Sequence, residues 1–320
     1  MDSRTKRRLP AAELVELVKR ATGMGADVAS EFTDGYFNAV YAVTLDDGRD
    51  AVLKIAPDPA VTLLRYEVDL MHAEWEFFAR AAEVGVPVPG VIAADPDEGY
   101  LLLERLTGTS LESTKRSMTA AQLETVRREL GELCSRLGRA TGPVFGYPRR
   151  DGHSQSDRWR TSFLTMVDDI LTDAVEYQRE LPAPAGTVRR LIAQRADVLD
   201  EVTTPVLVHF DLWDGNVFVV PDGDGYRVEG VIDGERAFYG DPIAELTSLA
   251  IYTDPAQMPG LLDGFLGRPL TGSESTRLRL YRIYLYLIMV TEGATRDYPD
   301  EYEPIRRFTL QHLDTELGRL

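Results

Sequence analysis

The first hundred residues alternate between two hydrophobic periods. Leucines and valines in residues 9–21 recur at helical spacing, and "NAVYAVTLDDGRDAVLKIA" (38–56) then gives two β-rich runs around a turn-forming DDGR. Residues 66–84 return to the helical period and end at a Gly-Val-Pro-Val-Pro segment. Together with the later runs "GVIAAD" and "YLLLERL", this order predicts an antiparallel sheet with one main helix over residues 30–105.

From about residue 111 onward the apolar positions follow mostly the helical period. Stretches such as "TAAQLETVRRELGELCSRLGRA" and "TSFLTMVDDILTDAVEY" are typical of helices, apart from one β-rich stretch at 206–232. Between the two patterns lies "LTGTSL" (106–111), whose Thr, Gly and Ser residues favour a hinge. The sequence therefore predicts an α+β protein of two lobes, a small sheet lobe over 1–105 and a mainly helical lobe over 106–320.

Composition and charge limit the partners and the cellular location expected for this protein. Its 320 residues are 44% hydrophobic and 27% charged, as in ordinary globular proteins. The longest apolar run, 283–290, is far shorter than the roughly 20 residues that span a bilayer, and Cys134 is the single cysteine. The net charge of −17 disfavours nucleic acid and anionic membranes but favours cationic small molecules or metal ions. We therefore expect a cytoplasmic monomer or homodimer that binds neither nucleic acid nor membrane.

The stretch "LVHFDLWDGNVFVV" (207–220) places polar side chains between two apolar runs. The following residues, 217–232, predict a β-hairpin, since "PDGDG" is rich in turn formers. A turn centred between Asp224 and Gly225 would place Asn216 opposite Asp233 at the open end of the hairpin, with Asp211 just upstream. Amide and carboxylate oxygens are suitable ligands for Mg²⁺, although Asx turns in an ordinary loop would use the same residue types.

The spacing of these residues matches a kinase catalytic loop. "HFDLWDGN" fits HxDxxxxN, in which the aspartate accepts a hydroxyl proton and the asparagine binds Mg²⁺, and Asp233 falls at the place of the second metal-binding aspartate. Upstream, "DAVLKIA" places Lys54 in an apolar strand, as in the VAIK pattern whose lysine pairs with phosphates and a helix glutamate. The candidate partners on the following helix are Glu67, Glu74 and Glu76.

Other nucleotide and metal motifs are excluded by their missing residues. "DGDGYRVEGVID" begins like a calcium loop but has arginine where glycine is needed and aspartate rather than glutamate at its end. The chain has no GxxxxGK[ST] motif of P-loop kinases, no GxSxG elbow of serine hydrolases and no APE segment of protein kinases. The kinase-like spacing therefore remains the most specific signal.

Taken together, these motifs resemble the aminoglycoside phosphotransferase family of small-molecule kinases over about residues 30–250. "LVHFDLWDGNVFV" is similar to the family's catalytic loop, "GVIDGERAFYGDPIAEL" to its metal-binding aspartate and GDP segment, and "GVPVPGV" to the exit from its first-lobe helix. The resemblance implies the two-lobed protein-kinase-like fold and transfer of the γ-phosphate of ATP to a hydroxyl of a small molecule. The implied cofactors are ATP and Mg²⁺.

The resemblance also implies a role for each matching residue. Asp211 would be the catalytic base, and Asn216 and Asp233 would be the metal ligands. Lys54 would hold the nucleotide phosphates. Glu74, which lies eleven residues before the Gly-Val-Pro, would anchor Lys54.

Two further segments would contact the nucleotide. "FTDGYFNAVY" resembles the loop that covers the phosphates, which implies contacts from Gly35 to Asn38, although the segment has one glycine and not the GxGxxG of protein kinases. "YLLLERLTGTSL" resembles the strand and hinge beside adenine, which implies that backbone groups from Glu104 to Leu106 read the edge of the base.

Three positions near the motifs carry structural expectations. His209 would stabilise the catalytic loop, and Asp241 of "GDP" would stabilise its own loop or cap the helical run that follows. The family usually has glycine where this chain has Phe210, so this side chain either crowds the loop or packs beneath it.

The sequence leaves the acceptor open. The acidic run in "MVDDILTDAVEY" either attracts a cationic acceptor such as an aminoglycoside, with a role in antibiotic resistance, or forms a solvated helix face. Trp213 after Asp-Leu resembles the fructosamine kinases of the same superfamily, so a glycated amine or sugar is the alternative; amino-sugars and macrolides also remain open. A non-catalytic nucleotide-binding protein is a further alternative, although no motif position is broken.

Overall fold

The computed structural model describes residues 3–33, 35, 37–296, 298 and 300–320. Within them, the N-terminal part is built on a five-stranded antiparallel sheet with the strand order β1-β2-β3-β5-β4. The hairpin predicted around DDGR is confirmed as β2 and β3. The strands are β1 (Ala26–Phe32), β2 (Ala39–Leu45), β3 (Asp50–Ile55), β4 (Val91–Asp95) and β5 (Tyr100–Glu104).

Two helices cover the two faces of this sheet. Helix α1 (Ala11–Thr22) packs with Leu53 and Leu102 in one apolar cluster, whereas Leu101 and Leu103 belong to the cluster on the other face. This alternation follows from the two-residue period of a strand. Both predicted helices are therefore present, and α2 (Leu70–Glu83) lies on the face that carries Leu101 and Leu103.

Helix α2 is shorter than the predicted helix over 66–84. Asp69 has a left-handed backbone with φ of 63°, which separates α2 from a short 3₁₀ turn at Arg65–Glu67. The hydrophobic period continues through this break, because the 3₁₀ turn also buries Tyr66 against the core. Periodicity alone therefore predicted one helix where the chain forms two segments.

The remainder of the chain is mainly helical, as predicted. The helices are α3 (Leu111–Thr114), α4 (Ala120–Leu137), α5 (Trp159–Glu176), α6 (Ala185–Ala193), α7 (Glu245–Leu249), α8 (Leu261–Phe265), α9 (Gly272–Thr291), α10 (Gly293–Arg296) and α11 (Glu303–Leu317). The strands are β6 (Thr109–Ser110), β7 (Val206–Val208), β8 (Val217–Asp222), β9 (Gly225–Val231) and β10 (Phe238–Gly240). Strand β8 pairs with β6 and β9, and β7 pairs with β10. Among the described residues, no helix combines the length and apolar character needed to cross a bilayer.

The hairpin of β8 and β9 differs in register from the prediction. Asp222 pairs with Gly225, so the turn is centred one position earlier than expected, and an irregularity after Phe218 shifts the pairing so that Val217 lies opposite Val231. The Ile232 N–H donates to the Asn216 carbonyl at 3.0 Å. Asn216 therefore lies opposite Ile232, and Asp233 is the next residue along the chain. The turn alone would have moved the partner of Asn216 by two residues, and the irregularity restored one of them.

The two lobes share a continuous apolar core. Phe77 of α2, Leu101 of β5 and the hairpin residues Val217 and Val231 belong to one cluster that extends into the C-terminal helices. The α+β arrangement of a sheet lobe and a mainly helical lobe is thus as predicted, whereas the division at 105/106 remains a prediction. The shared core fixes the sheet and α2 relative to the hairpin.

Phe210 packs beneath the catalytic loop and does not crowd it. Its side chain is fully buried, with ring centroids 5.0 Å from Phe238 and 5.7 Å from Tyr284. Its φ of 63° lies in the left-handed region, which glycine adopts without steric cost. The backbone here therefore suits the glycine that the family usually has, and burial of the ring offsets the strain on phenylalanine.

We expect Phe210→Gly to lower the free energy of unfolding by about 1–4 kcal/mol. The lost ring and the resulting cavity cost about 3–5 kcal/mol, and relief of the left-handed strain returns only about 1–2 kcal/mol. Urea unfolding followed by circular dichroism would measure the difference. Equal or greater stability of the variant would show that strain at this position outweighs burial.

Candidate active site

A buried lysine joins the sheet, α2 and the end of the hairpin. The Lys54 ammonium on β3 donates to Glu74 on α2 at 2.6 Å and to Asp233, which follows β9, at 2.7 Å. Lys54 is 7% exposed and Glu74 is fully buried. Of the three candidate glutamates, Glu74 is the one that contacts Lys54.

Gly234 allows the hairpin end to approach α2. A Cβ atom built at Gly234 would lie 2.3 Å from the ring of Phe77, so only glycine fits without a shift. Asp233 itself has a left-handed backbone with φ of 67°, which turns the chain out of β9 toward Lys54. The "DG" pair therefore places the Asp233 carboxylate beside an ammonium that lies 179 residues earlier in the sequence.

The charges of this cluster shift one another's protonation. Burial alone would lower the pKa of Lys54, but the carboxylates of Asp233 and Glu74 outweigh burial and raise it. Burial raises the pKa of Glu74 to about 7, against the opposing effect of Lys54. For Asp233, the Lys54 ammonium outweighs burial and lowers the pKa. The lysine is thus held in its charged form, as a phosphate-binding cation must be.

His209 holds the catalytic loop from below. Its Nε2 lies 2.9 Å from the Ile232 carbonyl, its Nδ1 accepts from the Asp211 N–H at 3.2 Å, and its own N–H donates to the buried carboxylate of Glu245. These partners require a neutral ring protonated at Nε2. Burial lowers the pKa of His209 to about 4. The bonds agree with the predicted structural role of this histidine.

Asp211 lies beside a buried arginine. Arg236 approaches the Asp211 carboxylate at 3.7 Å and also binds Glu292 at 2.8 Å. Burial raises the pKa of Asp211 to about 6, although the nearby Arg236 lowers it. Arg236 was not among the predicted site residues, and its position three residues after Asp233 is the only signal for it in the sequence.

Asn216 and Asp233 offer oxygens suited to a hard cation. The Asn216 amide nitrogen donates to the Asp211 carbonyl at 2.8 Å, which leaves the side-chain oxygen available as a ligand. Glu74, Asp233 and Glu235 each place a carboxylate oxygen within 4.8 Å of the others. The buried Oε2 of Glu74 has no hydrogen-bond partner among the described residues. This donor set fits Mg²⁺ in its chemistry.

The predicted phosphate-covering segment is described only in part. Position 36 of the expected contact from Gly35 to Asn38 lies outside the described residues. A Cβ atom at Gly35 would meet nothing within 4 Å, whereas the buried Asn38 amide donates to Glu235 at 2.9 Å. Glu235 was missed from the sequence, although an acidic residue two positions after Asp233 was its signal.

The strand predicted to lie beside adenine has some of its backbone groups engaged. The Glu104 N–H donates to the Gly90 carbonyl at 2.8 Å, and the Arg105 N–H donates to the Asp50 carbonyl at 3.2 Å. Of the three residues from Glu104 to Leu106, these bonds leave Leu106 to supply an N–H donor. The predicted hydrogen bonds to the edge of adenine would therefore use the backbone carbonyls of these residues and the N–H of Leu106.

Residues 28–281 match the sequence profile of the phosphotransferase enzyme family (APH). The chain belongs to this phosphotransferase family. A curated relative, "Probable ketoamine kinase YniA" of Escherichia coli (strain K12), is 25% identical over 224 residues, covering 66% of this chain and 70% of the relative. The chain is a phosphotransferase enzyme, as the motifs predicted.

Solved structures of other phosphotransferases share the fold. A "putative fructosamine-3-kinase" from Thermobifida fusca has a TM-score of 0.69 at 22% identity, covering 97% of this chain and 100% of that one. The streptomycin–ATP complex of APH(2")-IIa has a TM-score of 0.62 at 15% identity, covering 97% and 99%. These likenesses confirm the predicted two-lobed protein-kinase-like fold, and the family match confirms the resemblance.

The carboxylates of the acidic run in this phosphotransferase already contact basic side chains of the protein. Arg65 binds both Asp173 and Glu176, the latter at 2.7 Å. The two remaining carboxylates also have partners: Asp168 contacts Arg189, and Asp169 contacts His153. The run therefore offers no unpaired carboxylate to a cationic acceptor, and its negative charge serves the packing of α5.

We expect the destabilisation caused by His209→Gln to shrink as pH falls. The folded pKa of His209 is depressed, so between about 6.5 and 4 the unfolded chain binds a proton that the folded chain excludes, and the wild type loses stability. Glutamine has no such loss. The difference in unfolding free energy should decrease by about 2 kcal/mol from pH 7 to pH 5.

Urea titrations of both proteins at the two pH values would measure this change. Every other titrating group is common to the two proteins, so its contribution cancels in the difference. A pH-independent difference would mean that the pKa of His209 is the same in the folded and unfolded chains.

Proposed function

We propose that this phosphotransferase uses ATP and Mg²⁺ to phosphorylate a hydroxyl group of a ketoamine, the product of a sugar joined to an amine. The observation that carries this proposal is the buried Lys54–Glu74–Asp233 cluster beside Asp211 and Asn216. Phosphoryl transfer requires little covalent chemistry from the protein, so positioned charges of this kind are the main catalytic device.

Each residue of the site has one physical task. Lys54, oriented by Glu74, binds the non-transferred phosphates of ATP, and Asn216 with Asp233 holds the metal. Bound Mg²⁺ offsets phosphate charge during transfer. Asp211 accepts the proton of the acceptor hydroxyl, whose oxygen forms a bond to the γ-phosphorus while the bond to the β-phosphate oxygen breaks. The products are ADP and a phosphate monoester.

A ketoamine acceptor is supported by two observations. The curated relative is named a probable ketoamine kinase, and the Thermobifida structure is described as a fructosamine kinase. Trp213, two residues after Asp211, keeps 43% of its surface exposed at the catalytic loop. A Cβ atom at Gly215 would lie 2.2 Å from the Trp213 ring, so the absence of a side chain at Gly215 leaves room for the ring in this position. An exposed indole offers a face to a cationic amine or a sugar.

The pairing of the acidic run weakens the aminoglycoside alternative, and with it a role in antibiotic resistance. Of the four carboxylates that were candidates for binding a polyamine, three already pair with arginines and the fourth, Asp169, contacts His153. A requirement for ATP is consistent with the cytoplasmic location expected from the sequence.

We expect Asp211→Asn to lower kcat on a ketoamine by at least about 10³-fold, with the Kd for ATP within about threefold of wild type, because the base acts on the acceptor and not on the nucleotide. ADP release with fructose-lysine, aminoglycosides, macrolides and free amino-sugars as acceptors would measure turnover. The matched control is Asp222→Asn, an exposed aspartate in the turn of the same hairpin.

Each result of this assay decides the proposal. Turnover of the ketoamine that is lost only in Asp211→Asn supports it. Turnover of an aminoglycoside but not of a ketoamine would show that the proposed acceptor class is wrong and that the acceptor is an aminoglycoside. ATP binding without turnover of any acceptor would favour the non-catalytic alternative.

We expect Trp213→Ala to raise KM for the ketoamine about tenfold, while Trp213→Phe retains most of the affinity. A cation or sugar stacked on the indole contributes on the order of 1 kcal/mol, and about 1.4 kcal/mol corresponds to tenfold in affinity. Steady-state kinetics at saturating ATP would measure KM, and KM for ATP serves as the internal control. An unchanged KM for the ketoamine would remove Trp213 from the acceptor site.

A further inference from the structure

Glu235 lies in the phosphate-binding cleft without a role in the scheme above. It is two residues beyond Asp233, in the short 3₁₀ turn of Gly234–Arg236, and is 5% exposed. Because Asp233 has a left-handed backbone, the turn brings both carboxylates to the same side, and an oxygen of each lies within 4.8 Å of the other and of Glu74.

Carboxylates outnumber the cations that bond to them in this cleft. The ammonium of Lys54 lies among the carboxylates of Glu74, Asp233 and Glu235, while Arg236 acts on Asp233 and Arg296 on Glu235 without a direct bond. Lys54 donates to Glu74 and Asp233, whereas Glu235 accepts from the neutral amide of Asn38 at 2.9 Å. Three carboxylates therefore share one directly bonded ammonium among the described residues, and a divalent cation would relieve their mutual repulsion. Buried charges of one sign are costly unless they are paired or bind a metal.

A second observation shows that the cluster lacks a partner. The side chain of Glu74 is fully buried, and its Oε2 has no hydrogen bond among the described residues, as is also true of the Oδ1 of Asn38. Unpaired polar atoms in a buried cluster are rare and call for an ion or water. The side chains that surround Glu235 are therefore arranged for a ligand that brings positive charge.

We propose that Glu235 is a ligand of the divalent cation, together with Asp233, and that Asn38 occupies its carboxylate until the metal binds. Glu74 remains the partner of Lys54. The inference rests on the proposed function, because it takes Asp233 as a metal ligand. It adds the Glu235 carboxylate to the proposed metal ligands Asn216 and Asp233. It also means that the Asn38 amide and the metal compete for this carboxylate.

The test is Mn²⁺ binding to the full chain without nucleotide, followed by the electron paramagnetic resonance signal of free Mn²⁺. Glu235→Gln keeps the size of the side chain and its bond to Asn38 but lacks the charge, and Asp233→Asn is the matched variant for the proposed metal ligand. Glu124→Gln removes the same charge from the exposed surface and controls for net charge. Circular dichroism of each metal-free variant establishes that it is folded.

We expect Glu235→Gln and Asp233→Asn each to weaken Mn²⁺ binding about tenfold or more, and Glu124→Gln to leave it unchanged. Asn38→Ala should bind Mn²⁺ at least as tightly as wild type, because the competing donor is gone. Metal-free Glu235→Gln should melt no lower than wild type, since glutamine keeps the bond to Asn38 and removes one of three crowded carboxylates.

The other results distinguish an error in the role of Glu235 from an error in the metal site of the proposed function. If Asp233→Asn loses Mn²⁺ while Glu235→Gln binds it normally, the metal site of the proposed function stands and Glu235 is not a ligand. If neither substitution affects binding, the proposed metal site itself is wrong. Weaker binding by Asn38→Ala would overturn the exchange, because Asn38 would then support the metal-binding geometry.

Discussion

The buried ion contact of Lys54 with Glu74 and Asp233 is the constraint on which the active site depends. It joins three elements that are distant in the sequence, namely β3, α2 and the end of the catalytic hairpin. Removing one partner of such a contact leaves an unpaired buried charge, which costs about 3–5 kcal/mol. The sheet and the hairpin are therefore held in fixed relative positions at the proposed phosphate-binding site.

A second network of buried charges contacts the predicted catalytic loop through Arg236. Arg236 lies between Asp211 and Glu292, and Arg296 binds Glu292 at 3.2 Å and Glu67 at 2.7 Å. Glu67 belongs to the 3₁₀ turn before α2, so this chain of charges leads from the catalytic aspartate back to the N-terminal lobe. Through Glu67, this network holds the turn at Arg65–Glu67 against the core, although the turn is separate from α2.

Apolar packing provides the rigid base beneath these charges. Phe77 touches the backbone of Gly234 on one side and stacks edge-on with His209, at a centroid distance of 4.8 Å, on the other. Phe210 fills the space below the loop at a backbone conformation that suits glycine. These apolar contacts hold the backbone that carries the charged side chains of the candidate site.

The sequence by itself determined the order and type of the main elements, and it predicted the roles of Lys54, Asp211, Asn216 and Asp233, because periodicity and short-range spacing are local properties. The family resemblance already favoured Glu74 among the three candidate glutamates, and the tertiary structure shows its contact with Lys54. Only the tertiary structure showed that Glu235 and Arg236 lie beside these residues. It also showed that the hairpin turns one residue early and that the acidic run is paired. Such contacts join side chains up to about two hundred residues apart, so they depend on packing, which no local pattern in the chain encodes.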